Sequence, residues 1–132
     1  MYQITLDPTG NYDEATPAQS VSATAAAIFE IRNPNRRGIV IMTFNVGAAG
    51  TLTTFYITRS AFPGGTQLTW KTGSDFNTPT VQQPETLNFS LPQAASSSFQ
   101  LLINMSGVSD MQIWAASTAG TTLQLEVGAT SQ

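Results

Sequence analysis

The fold of this chain is decided by residues 29–47, which read F-E-I-R-N-P-N-R-R-G-I-V-I-M-T-F-N-V-G. Two apolar runs with the character of β-strands flank a turn, and the segment holds three of the five cationic residues of the protein. Pro34 fixes its own φ and keeps the preceding residue out of the helical region, while Gly38 accepts a positive φ. The stretch therefore predicts two strands joined by a tight hairpin.

Apolar and polar residues also alternate on both sides of this stretch. Leu87, Phe89 and Leu91 share one face of a strand, while Asn88 and Ser90 share the other. Such strands are typical of an antiparallel sheet with one face on the core. About nine strands are predicted, at residues 2–6, 27–32, 38–45, 53–59, 66–71, 87–91, 99–105, 111–115 and 123–127.

Breaks rich in Gly or Pro separate these predicted strands. Many short strands without a long helical pattern predict an all-β fold, an antiparallel β-sandwich or jelly-roll-like arrangement of about eight to nine strands. Residues 1–132 are predicted to form a single β-sandwich domain. Residues 1–19 are either part of the sandwich or an extended N-terminal arm. Residues 16–27 are compatible with a helix capped by Thr16, but their alternation favours an extended segment.

Charge is scarce in this protein. Asp, Glu, Lys and Arg make up 10% of the chain, against about 25% in ordinary globular domains. A surface of amides and hydroxyls predicts contact with another protein, and a merely neutral solvated surface is the alternative. The net charge of -3 argues against nucleic-acid binding, because that function needs a clustered basic surface.

Reactive chemistry is equally scarce, since the chain contains neither Cys nor His. Residues 7–14 gather oxygen ligands, but their spacing does not match a calcium loop, so an ordinary polar turn is the preferred interpretation. Asp75 and Glu85 flank a long loop at residues 73–84 and are the remaining candidates for paired carboxylates. We predict no metal, no cofactor and no enzymatic activity.

The opening residues M-Y-Q-I-T-L-D contain neither a basic leader nor an apolar run. No segment reaches the length that is needed to span a bilayer. The sequence therefore predicts synthesis in a cytosol without an export signal, and no membrane partner.

Strand 38–45 is apolar on both faces. This pattern predicts either a central strand covered by a neighbouring segment or a strand buried against a second subunit. Trp70 shares its face with Leu68 and is predicted to lie in the core, whereas Trp114 is predicted to be partly exposed, where it could anchor an interface or stack on a sugar. Arg36 and Arg37 either solvate the turn or bind carboxylates of a neighbouring copy. The interface candidates are therefore Arg36, Arg37, Met42, Phe44 and Trp114.

The motif N-P-N-R-R-G-I-V-I followed by F-N-V-G resembles a pattern in small structural proteins of tailed bacteriophages. The later segments A-F-P-G-G-T and I-W-A-A-S-T-A-G-T-T-L-Q-L-E-V are similar to the glycine turn and the final hairpin of that family. The resemblance covers residues 31–66 and 113–127 and consists of turn chemistry. The first motif is carried by Asn33, Pro34, Asn35, Arg36, Arg37, Asn45 and Gly47.

The resemblance implies a capsid decoration or cement protein, a head fibre or a tail-associated module, and it implies no catalytic residues. The expected location is the virion, and the expected partners are the major capsid protein or other virion proteins. A homo-oligomer is expected, with a trimer favoured. The alternative is a carbohydrate- or receptor-binding module of a fibre or tail, in which Trp114 contacts a glycan.

Overall fold

The computed structural model describes residues 1–7, 12–72, 86–88 and 91–130. These residues contain eleven β-strands and no helix. The strands are β1 (Tyr2–Thr5), β2 (Tyr12–Ala15), β3 (Gln19–Val21), β4 (Ala26–Arg32), β5 (Ile39–Val46), β6 (Leu52–Ser60), β7 (Leu68–Thr72), β8 (Thr86–Asn88), β9 (Ser98–Asn104), β10 (Asp110–Ser117) and β11 (Thr121–Thr130).

Three sequence-based predictions fall partly or wholly outside the described residues. They are the centre of the candidate metal turn at residues 8–11, the long loop with Asp75 and Glu85, and residues 89–90 of the predicted strand 87–91. The extended interpretation of residues 16–27 is confirmed, because this segment contains β3 and the start of β4.

The strands form two sheets. The first sheet has the order β1-β4-β10-β6-β7, and the second has the order β2-β11-β5-β9-β8 with β3 also paired to β11. Described neighbours are antiparallel except β1 and β4, which run parallel. The predicted all-β antiparallel sandwich is confirmed. The strand count exceeds the prediction because β2 and β3 are too short to give a clear alternation pattern.

The N-terminal residues add a strand to each sheet. β1 pairs with β4 at the edge of the first sheet, and β2 pairs with β11 at the edge of the second. Ile4 and Leu6 are buried in the core. The described part of residues 1–19 is therefore built into the sandwich and does not project from it as an arm.

The core lies between the sheets and centres on Phe44 of β5. Its ring centroid lies 6.3 Å from Phe29 and 5.1 Å from Phe55, both in the first sheet, and 5.1 Å from Phe99 in its own sheet. Met42 and Phe44 are both 0% exposed. Their prediction as interface residues is wrong, because their face of β5 is covered by the opposite sheet of the same chain.

The turn after β4 is a crossover between the sheets, and the prediction of a hairpin there is wrong. β4 pairs with β1 and β10, whereas β5 pairs with β9 and β11. Phe29 and Phe44, near the ends of the stretch, instead contact each other across the core. The final hairpin that the resemblance implied is also wrong, since β10 and β11 lie in different sheets. Crossing between the layers lets both strands bury their apolar faces against each other.

Candidate interaction surface

The second sheet is the side of the sandwich that lacks positive charge. Its six strands contain no Lys or Arg, and their acidic residues are Asp13, Glu14 and Glu126. Asp13 and Glu126 are exposed, and Glu14 is half-buried. The outer face of this sheet therefore carries uncharged side chains with negative charge gathered near the β2 edge.

Hydrogen bonds between amides and hydroxyls cross this outer face from strand to strand. Ser98 Oγ donates to Asn45 Oδ1 at 2.6 Å, and Asn45 Nδ2 donates to Gln124 Oε1 at 2.6 Å. Gln124 Nε2 continues the series to the carbonyl oxygen of Thr16 at 3.1 Å. Because each side chain holds the next, this part of the face presents a fixed array of neutral polar groups.

An apolar row lies next to this polar array. Ile41 of β5 is 45% exposed and pairs with Leu102 of β9, which is half-buried. On its other side Ile41 pairs with Gly128 of β11, which has no side chain. Ile41 was not among the predicted interface residues. The signal that identifies it is parity, since Ile41 alternates in step with the polar residues Thr43 and Asn45, and not with the core residues of its strand.

A groove of about 530 Å³ opens on this face beside Ile41. Gly128 lies between Ile41 on β5 and Asp13 on β2. Because Gly128 has no side chain, the space between these two residues stays open and forms the bottom of the groove. Glu126 lies two residues before Gly128 on β11 and pairs with Thr43 of β5. The groove is lined by Asp13, Glu14, Ala15, Ile41, Thr43, Glu126, Val127 and Gly128.

Arg36 and Arg37 are exposed in the crossover that leads into β5. Asn33, which is 1% exposed, holds this crossover: its Nδ2 donates to the carbonyl oxygens of Met105 and Val108 at 3.1 Å each. The Gly107 backbone N–H donates to the Arg36 carbonyl oxygen at 2.8 Å, and Arg36 has a φ of 53°. Arg36 and Arg37 therefore lie on a loop that hydrogen bonds hold in place.

The outer face of the first sheet carries the fifth predicted interface residue, Trp114. It is half-buried and stacks on Tyr56, with ring centroids 5.5 Å apart and an interplanar angle of 11°. Its Nε1 donates to Thr58 Oγ1 at 3.1 Å, and that hydroxyl donates to Gln67 Oε1 at 2.9 Å. The structure thus places Trp114 on a different sheet from the groove.

A carboxylate is held among donors on the same outer face. Glu30 is 7% exposed, and Gln3 Nε2 and Arg32 Nε each donate to its Oε1 at 3.0 Å. Gln112 Nε2 donates to the other oxygen at 3.3 Å. Arg32 with Glu30 is the only ion pair in the part of the chain that the structure describes. This arrangement satisfies the charge of Glu30 and gives the group a structural role.

Trp70 was predicted to lie in the core, and the structure places it at the core's edge. It is half-buried, and the guanidinium carbon of Arg59 lies 4.5 Å from the centre of its ring. This cation–π contact occupies one face of the indole. Trp70 therefore contributes to packing near β7 and leaves Trp114 as the tryptophan of the outer face.

Glu14 joins the edges of the two sheets. Tyr2 of β1 donates its hydroxyl to Glu14 Oε2 at 3.0 Å, and Tyr12 of β2 donates to Glu14 Oε1. The hydrogen bond to Glu14 raises the pKa of Tyr2, and burial raises the pKa of Tyr12 further than its own bond to Glu14 does. The fold therefore favours the protonated form of both phenols.

Alkaline pH is expected to weaken the fold through these two tyrosines. An unfolded tyrosine ionises near pH 10, and both folded pKa values are higher. The stabilising contribution is therefore complete below about pH 10 and is lost as the pH rises toward the folded values. Urea unfolding at a series of pH values should show a steep fall above about pH 10 in the wild type.

The matched variants separate the phenols from the carboxylate. The double variant Tyr2→Phe/Tyr12→Phe should show a shallower alkaline fall, and Glu14→Gln, which keeps both phenols but removes the charge, should lie between the two. An alkaline slope in the double variant equal to that of the wild type would show that other groups control the alkaline loss.

The described residues contain no cluster of three or more Asp, Glu, His or Cys side chains that could hold a metal ion. No helix in the described ranges is long and apolar enough to cross a membrane. The described surface carries a neutral polar array, an apolar row with an acidic groove, and a separate aromatic pair. No protein-family model matches the chain, and no curated protein matches it.

Proposed function

We propose that this chain is a non-enzymatic structural protein of a tailed-bacteriophage virion, a capsid decoration or cement protein that stabilises the head through oligomeric contacts. Its partners are the major capsid protein or other virion proteins and further copies of the chain, with a homotrimer favoured. Its place is the assembled virion. The phage assignment rests on the resemblance carried by the turn at residues 33–38 and by Asn45 and Gly47.

The outer face of the second sheet is the observation that carries this proposal. It combines the uncharged array around Asn45 with the 45% exposed Ile41. The fully buried core of a protein–protein interface is depleted in charged residues. A large apolar side chain exposed beside ordered neutral polar groups fits such a covered surface.

The mechanism is thermodynamic. A protein that binds the assembled shell, and not its separated subunits, stabilises the shell by mass action. When copies are also joined to each other, the binding of one raises the effective concentration of the next, so modest individual contacts give firm attachment. No bond needs to be made or broken, and no catalytic residue is involved.

Heating the virions tests the proposal. Particles that lack this protein should release their DNA at a lower temperature than complete particles, and adding the purified wild-type protein should restore the higher temperature. Ile41→Lys places a charge in the apolar row at an exposed position and should fold normally but fail to restore it. Equal release temperatures with and without the wild-type protein would contradict a cementing role.

Recognition of a glycan is the second candidate function, and the stacked Tyr56–Trp114 pair favours it. Aromatic rings on a sheet face, with the half-buried amide of Gln112 on the same strand as Trp114, suit the apolar and polar faces of a sugar. A glycan array separates the two functions. Binding that is lost in Trp114→Ala would support this candidate, whereas an array without any binding would remove it.

A further inference from the structure

Two sets of opposite charge are exposed on the part of the chain that the structure describes. Asp13 and Glu126 are exposed at the groove of the second sheet, and Arg36 and Arg37 are exposed in the crossover. None of the four takes part in an ion pair within the described residues, where the single ion pair joins Arg32 to Glu30. Among the described residues these four charges therefore have no ion-pair partner.

The groove has the chemistry that an arginine side chain needs. Ile41 and the bare backbone at Gly128 offer an apolar surface to the methylene stem, and Asp13 and Glu126 offer carboxylates to the guanidinium group. Arginine buries its stem along apolar surface while its charged end stays paired or solvated. A planar guanidinium also matches a carboxylate with two parallel hydrogen bonds.

The crossover has the rigidity that a docking element needs. Asn33 ties it to the loop between β9 and β10, and the Met105 backbone N–H donates to the Gly38 carbonyl oxygen at 2.9 Å. A loop that is already ordered loses little conformational entropy on binding. Only the two arginine side chains must be immobilised when the crossover meets a partner.

We propose that the acidic groove of one copy receives the Arg36–Arg37 crossover of a second copy of the same chain. The choice of a second copy follows from charge complementarity. The strands of the second sheet hold only acidic charges, while the crossover carries two adjacent arginines of a chain that has only five cationic residues. This inference deepens the proposed function, on which it rests, by naming the contact that joins copies of the protein.

Charge exchange on the purified chain tests this docking. Sedimentation velocity over a range of concentrations gives the dissociation constant of the assembly. Arg36→Glu/Arg37→Glu and Asp13→Lys/Glu126→Lys should each weaken assembly by about tenfold or more, because each places like charges in contact. A chain carrying all four substitutions should recover assembly to within about threefold of the wild type, because the pairs are restored with reversed sign.

Two controls show whether a loss of assembly comes from the docking contact, from a general effect of charge or from unfolding. Ala48→Glu/Thr118→Lys changes charge at exposed positions in other turns and should leave assembly unchanged. Each variant should unfold at a denaturant concentration close to that of the wild type. Raising the salt concentration from about 0.05 to 0.5 M should weaken wild-type assembly, because the pairs lie at an accessible surface.

The outcomes separate this inference from the proposed function. Reversal variants that assemble as the wild type does, a quadruple variant that does not recover, or a wild type that stays monomeric would each overturn the docking. If the reversal variants also protect heated virions as the wild type does, the cementing function stands without this contact. If wild-type protein assembles and responds to charge exchange but fails to protect virions, the docking stands and the cementing function falls.

Discussion

Phe44→Ala is expected to lower the free energy of unfolding by about 3–5 kcal/mol. The substitution leaves a cavity at the point where Phe44 contacts Phe29 and Phe55 of the opposite sheet and Phe99 of its own. A typical domain has a free energy of unfolding of about 5–15 kcal/mol, so a loss of this size removes a large part of it. Urea unfolding followed by tryptophan fluorescence measures it.

Two companion variants locate the effect. Phe44→Leu retains much of the buried volume and should lose about 1–2 kcal/mol, mainly through the missing ring contacts. Gln100→Ala removes an exposed side chain next to Phe99 and should change stability by less than about 0.5 kcal/mol. If Phe44→Ala unfolded within about 1 kcal/mol of the wild type, the ring cluster would not be what joins the sheets.

Asn33→Ala is expected to lower the free energy of unfolding by about 2–4 kcal/mol, because it removes two buried hydrogen bonds and leaves carbonyl oxygens short of a donor. Those oxygens belong to Met105 and Val108, in the loop beside the crossover. Asn33→Asp should be worse at neutral pH, since it places a carboxylate against the same two oxygens. Chemical denaturation at neutral and acidic pH compares the variants, and acid should partly rescue the aspartate by protonating it.

The control for Asn33 is another asparagine that bonds to the backbone. Asn104 accepts a hydrogen bond from the Ser106 N–H at an exposed site, so Asn104→Ala should lose less than about 1 kcal/mol. Equal losses at Asn33 and Asn104 would mean that burial of the crossover contributes nothing. Arg36 and Arg37 lie on this crossover, and Asn33→Ala leaves both of their charges in place. If this variant assembles less well, the cause is therefore the loosened crossover and not a lost charge.

Local alternation was sufficient to predict the layered all-β fold. In β9, Phe99, Leu101 and Ile103 are buried while Ser98 and Gln100 face outward, as a period of two requires. The same rule separates the faces of β5, where Met42 and Phe44 lie inside and Ile41 lies outside. Both faces of β5 are apolar near its start, so its outer row could be identified only once the position of the core was known.

The pairing of strands could not be predicted from local sequence. Asn33, Pro34 and Gly38 specify a change of direction, but the same residues suit a hairpin and a crossover. The partners of β4 and β5 are distant in sequence, so the sheet that each joins depends on long-range packing. The groove was missed for a similar reason, since Asp13 and Glu126 meet only through the pairing of β2 with β11.

The position of β11 has a consequence for how the protein is made. β11 lies between β5 and the two short strands β2 and β3, yet its residues are synthesised after all of these. Until β11 has left the ribosome, β2 and β3 lack the one strand with which they pair among the described residues, and one edge of β5 is open. The second sheet is therefore completed only by a long-range closure, which is slow because β2 and β3 are separated from β11 by about a hundred residues.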